Sequence, residues 1–112
     1  MFKLSQATSY TWPVIVKLPI DGGRYSSQSF DAVFKRLSQS EIRAALDASD
    51  INDIDFAKQV LIGWKGITDD DGAEVPFSEM ARDKLLDVSA VASAIVEAFV
   101  LSASGQGAKR KN

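Results

Sequence analysis

Tyr10-Thr11-Trp12-Pro13-Val14-Ile15-Val16-Lys17-Leu18-Pro19-Ile20 places a large apolar or aromatic body at every even position, with Thr11, Pro13, Lys17 and Pro19 among the odd ones. A period of two is the signature of a β-strand with one buried face. Pro13 and Pro19 lie on the same side of that strand and cannot donate ladder hydrogen bonds, so that side must face no neighbour or a broken one. The stretch therefore reads as an edge strand. Asp21-Gly22-Gly23 follows and supplies the positive φ angles of a reversal, and alternation resumes from Gln28 to Leu37 through Phe30, Ala32 and Phe34. The expectation is an antiparallel hairpin whose turn lengthens if Arg24 to Ser27 act as polar connector.

Downstream the period changes to that of helices. Ser38 with Glu41 three residues on forms a capping box, and Leu37 and Ile42 stand where a hydrophobic staple closes. Ile42, Ala45 and Leu46 give this first helix an inner face, and Ser49-Asp50 ends it. Asn52 caps a second helix, with Ile51 and Phe56 as staple and Asp53 and Asp55 favouring the helix dipole. Ala57, Val60, Leu61 and Trp64 continue it at helical spacing until Gly66. Thr68 to Pro76 reads as a loop or tight hairpin around Asp69-Asp70-Asp71-Gly72. Ser78 caps a third helix to about Leu86, and Asp87 a fourth from Val88 to about Ala103. The fold class is thus α+β, an N-terminal antiparallel β-hairpin followed by about four helices. It forms a single domain over residues 1–103, with a flexible C-terminal tail over residues 104–112 that holds two glycines and no large apolar residue.

A chain of 112 residues has room for one core, and 46% apolar and 25% charged residues are ordinary for a globular protein. The formal charge of −2, with scattered basic residues, supplies no electrostatic attraction for nucleic acid. No apolar run is long enough to span a bilayer, and Met1-Phe2-Lys3-Leu4-Ser5-Gln6 lacks a signal-peptide core, so an unprocessed cytoplasmic product is expected. There is no histidine and no cysteine. The commonest general base, the best thiol nucleophile and the favoured transition-metal ligands are missing together. No phosphate-binding glycine loop or serine elbow is present. Seating Gly72 at the invariant glycine of a calcium loop puts Asp69 and Asp71 on ligand positions but Ile67 and Ser78 on the first and last, so an acidic solvated turn is the better reading. The expectation is a non-catalytic protein with no cofactor and no metal.

The last helix carries the strongest signal of a binding surface. Val88, Val91, Ala92, Ile95, Val96 and Phe99 form a stripe at helical spacing, Val100 and Leu101 lie off it, and Glu97 is the only charge between Val88 and Leu101. Such a helix needs cover on more than one face. A central core helix accounts for part of that, and a client helix or second subunit for the rest. Val91, Ile95, Phe99, Val100 and Leu101 are the candidate partner-binding residues, the first three more suited to pack inward and the last two to meet a partner. Trp12 and Trp64 each lie on the apolar face of their element and read as core.

Taken together, Trp12-Pro13-Val14, Phe34-Lys35-Arg36-Leu37-Ser38, Trp64-Lys65-Gly66-Ile67, the acidic turn with Gly72, and Val75-Pro76-Phe77-Ser78 resemble a phage tail assembly chaperone. Leu85-Leu86, the apolar helix and the closing Lys109-Arg110-Lys111-Asn112 fit the same likeness, which covers most of the chain from about Tyr10. The resemblance implies a protein of a long-tailed phage or prophage that acts in the host cytoplasm and is not part of the mature virion. Its implied partners are the tape measure protein and tail tube subunits; self-association into a homo-oligomer is expected separately, through the edge strand or the last helix, from unpaired backbone and surplus apolar surface. It implies no catalytic residues. The rival reading from another class is a structural tail completion or head–tail connector protein that stays in the virion; a regulator of a host or toxin protein is a third.

Overall fold

In the computed structural model, which describes residues 1–48 and 52–105, the fold is α+β. Two long strands, β1 (Ser9–Ile20) and β2 (Arg24–Lys35), form the expected hairpin. Ser9 pairs with Lys35 and Ile20 with Arg24, so Arg24 to Ser27 belong to the strand and only Asp21-Gly22-Gly23 make the turn, with both glycines at positive φ. The strand stops at Lys35, two residues before the alternation does. Even positions of β1 face inward, and Val14, Val16, Phe30, Ala32 and Phe34 are all buried.

α1 (Gln39–Asp47) opens on the capping box: Ser38 Oγ accepts from Glu41 N–H at 3.2 Å, and Ser38 N–H donates to Glu41 Oε1 at 2.8 Å. Hydrogen bonding to Ser38, through its backbone N–H first and its side chain second, holds the Glu41 carboxyl below its ordinary pKa. Ala45 is buried and Ile42 half-buried, but Leu46 is 52% exposed and does not join the inner face. α2 (Asp53–Val60) is capped by Asn52 Oδ1, which accepts from Asp55 N–H at 2.9 Å. The Ser49-Asp50 stop, the Ile51 staple and the tail from Gln106 onward lie outside the described residues.

The structure corrects the reading of Leu61 to Trp64 as helix. Leu61 turns extended at the end of α2, and β3 (Leu61–Lys65) pairs antiparallel with β2, completing a sheet in the order β1-β2-β3. Val33 faces Gly63 while Phe34 faces Leu61, so Ile62 is the extra residue of a bulge. The bulge lets Leu61 and Trp64, three residues apart, both face the core. That spacing is what imitates a helix in the sequence.

Beyond β3, Thr68 and Glu74 bridge across a tight reversal. The Asp69 carboxylate accepts from the N–H groups of Asp71 and Ala73 at 2.9 and 3.0 Å, holding the turn from within. Trp64 Nε1–H donates to Val75 O at 2.8 Å, and the Trp64 and Phe77 rings meet edge to face, fastening the segment to the sheet. α3 (Glu79–Leu86) starts at the expected Ser78 cap. Asp87 caps the end of α3 rather than the start of the next helix, and α4 (Val91–Ser104) begins after Ala90, which sits at φ 75°. Val88 is therefore outside α4 and exposed. α4 packs on β1 from one side and on α2 and α3 from the other, so one buried cluster joins the sheet's inner face to the helices.

Candidate protein-binding surface

The apolar stripe of α4 divides by burial. Val91, Ile95 and Phe99 are sealed inside the chain's own core, with Phe99 held edge to face by Phe34 at 5.3 Å and by Phe56 at 5.5 Å. Covered by β1, α2 and α3, these three residues can reach a partner only if the domain opens. Val100 is 37% exposed, beside Glu97 and Ser93 on the solvent face, and Leu101 is half-buried. Of the five candidate residues, then, Val100 and Leu101 are accessible in the folded protein. Much of the helix's apolar character is satisfied by its own domain.

A groove of about 440 Å³ opens at the C-terminal end of α4, lined chiefly by Tyr10, Trp12, Arg36, Leu37, Ile42 and Phe99. β1 brings Tyr10 and Trp12 to it because both are even, inward-facing positions near the start of the strand. The staple residues Leu37 and Ile42 come from the entry to α1. Its wall is braced by polar contacts: Ser102 Oγ–H donates to Phe99 O at 2.7 Å, which leaves Ser102 Oγ to accept from Tyr10 O–H, also at 2.7 Å. The Arg36 guanidinium lies 4.8 Å from the centre of the Tyr10 ring and donates through Nε to Ala7 O at 2.7 Å. Tyr10 and Trp12 meet edge to face.

Trp12 therefore has a different position from the one its periodicity suggested. It is half-buried and lines an open groove, because the helical layer ends before the strand does. The usable signal in the sequence was the pair Tyr10 and Trp12, two amphipathic aromatics at the outer end of a strand.

Among the described residues no group of three or more carboxylates could hold a metal ion. The ion pairs of the described residues lie outside the groove, where Asp83 meets Lys58 at 3.7 Å and Arg82 at 3.0 Å, the first of them tying α2 to α3. No single helix among the described residues is long and apolar enough to cross a membrane. What the groove offers is a mixed surface, in which Tyr10, Trp12 and Leu37 stand beside Thr11, Gln39 and Ser102 with Arg36 at the rim, and α4 adds the exposed Val100.

Residues 27–112 match the family model described as YdaY prophage protein. No curated protein and no solved structure matches the chain.

Proposed function

The chain belongs to the YdaY prophage protein family, and we propose that it serves phage tail assembly as a non-catalytic chaperone. In this reading it keeps the tape measure protein soluble in the host cytoplasm, assists polymerisation of tail tube subunits around it, and leaves before the virion is complete. The observation that carries the reading is the open groove at the end of α4, where Trp12 and Leu37 offer aromatic and aliphatic contact, together with Val100, which is exposed on the same helix. A tape measure helix exposes apolar stripes, and a groove of this kind accepts the apolar face of a helix. The chain-wide charge of −2 favours solubility of the complex.

The test is co-purification of a tape measure fragment encoded by the same prophage. Val100→Lys changes an exposed position and should cost folding within about 0.5 kcal/mol, yet abolish capture. Leu101→Lys is made separately because Leu101 is half-buried. A folded Val100→Lys protein that still captures the fragment, with a Trp12→Ala protein that does so too, removes this surface from consideration. Finding the protein at a fixed copy number in purified particles would instead support a permanent tail completion or connector component.

A further inference from the structure

Among the described residues the sheet is open along the outer sides of β1 and β3 and beside the first half of β2, and the sequence treats the β1 and β2 stretches differently. Arg36 N–H donates to Thr8 O at 2.9 Å, and the pairs of β1 with β2 keep one register throughout, so even residues exchange the hydrogen bonds between the two strands. Odd residues of β1 therefore aim their backbone groups outward. Pro13 and Pro19 fall there, removing two donors, and Lys17 adds a charge. This edge is guarded against pairing.

The other side of β2 is covered only in part. β3 pairs with Asp31 to Phe34, and the chain then turns away at Gly66 (φ 90°), beside Phe30. From Arg24 to Ser29, β2 has no strand neighbour on that side among the described residues. By the same parity, the N–H and C=O groups of Tyr25, Ser27 and Ser29 point into the open space. The loop and cap hydrogen bonds of the described residues do not use them, and all three residues are exposed. The run Tyr25-Ser26-Ser27-Gln28-Ser29 contains no proline and no charge, and the bulge of the sheet lies beyond it at Val33 and Phe34. Each device that protects the β1 edge is missing here.

We propose that the Tyr25–Ser29 edge of β2 pairs with the same edge of a second copy of the chain, antiparallel across a two-fold axis at Ser26. Tyr25 of each copy then lies opposite Ser27 of the other, and the two pairs exchange about four backbone hydrogen bonds. Gly66 fixes this register: sliding the strands by two residues toward Phe30 would bring Arg24 of the second copy onto it. The charge pattern favours self-pairing, because an uncharged run meets itself without like charges opposed, whereas β1 would oppose Lys17 to its own copy. The two Tyr25 side chains, each 66% exposed in the single chain, become diagonal neighbours on the same face and cover one another. The contact is isologous and closes as a dimer, with a sheet continuous from β1 through both β2 strands to the second β1. This inference is independent of the client proposed above.

Sedimentation velocity over a concentration series, with amide hydrogen exchange on the same samples, tests it. A dimer should grow with concentration while the Tyr25 and Ser27 amides gain protection in parallel. Ser27→Pro removes only an outward N–H, as Pro13 and Pro19 do in β1, so it should fold and weaken dimerisation roughly tenfold or more. Ser27→Lys, which puts like charges close to the axis, should do the same and stands in if the proline variant fails to fold. The proposal is overturned by a strict monomer at millimolar concentration, by a dimer that survives both substitutions, or by protection of Tyr25 and Ser27 that arises only when a client peptide is added.

Discussion

Truncating Phe99 to alanine tests whether α4 is first a core helix of its own domain. The side chain is 1% exposed and wedged between the rings of Phe34 and Phe56, at centroid distances of 5.3 and 5.5 Å. Removing a buried Phe ring costs about 3–5 kcal/mol in transfer and cavity terms. Two edge-to-face contacts, each worth about 0.5–1.5 kcal/mol beyond burial, put this site in the upper part of that range, so the expected loss is about 4–5 kcal/mol. Against a total stability of about 5–15 kcal/mol for a domain, Phe99→Ala should leave the protein marginal. Urea denaturation followed by tryptophan fluorescence measures this, with the buried Trp64 as reporter, and the midpoint should fall sharply at unchanged slope. Val100→Ala, one residue along and on the solvent face, should shift stability by about 0.5 kcal/mol or less. A Phe99→Ala loss under about 1 kcal/mol, or equal losses for the two variants, would refute the packing described for α4.

Ala90 holds φ 75° at the start of α4, a left-handed conformation that costs a non-glycine residue roughly 1–2 kcal/mol, so Ala90→Gly should raise the urea midpoint despite glycine's greater unfolded-state freedom; a lower midpoint would show that the turn is not strained. The capping box predicts a pH dependence, because Glu41 has its folded-state pKa lowered from 4.5 by the bonds to Ser38. A carboxyl of lowered pKa contributes stability that is fully present above its unfolded value and is lost as pH falls through its folded value. The thermal stability advantage of the wild type over Glu41→Gln should accordingly be constant above about pH 5 and shrink as the pH is lowered through the acid range; an advantage that grows on acidification would contradict the assignment.

The sequence by itself determined every feature written in local rules. The period of two from Tyr10 to Ile20 and the Asp21-Gly22-Gly23 reversal define the hairpin, because alternation and positive φ are properties of neighbouring residues. Ser38, Asn52 and Ser78 mark helix starts through side chains that each satisfy the N–H group three residues on. Val91, Ile95 and Phe99 share a face by helical geometry alone. Leu61 to Lys65 was not legible, because a bulge opposite Val33 and Phe34 gives two strand residues the spacing of a helix, and that bulge exists only in the pairing with β2. The start of α4 at Val91 was hidden for a related reason: Asp87 has the side chain of a cap, but the turn through Ala90 is imposed by packing α4 against β1, α2 and α3. Leu46 shares the spacing of an inner face yet is 52% exposed, since no element among the described residues lies over it closely enough to bury it. The groove beside Trp12 and the half-covered edge of β2 likewise depend on where α4 and β3 end relative to a hairpin far away in sequence. Period and capping record what a residue's neighbours require, whereas cover and exposure are settled by which distant segments arrive beside it.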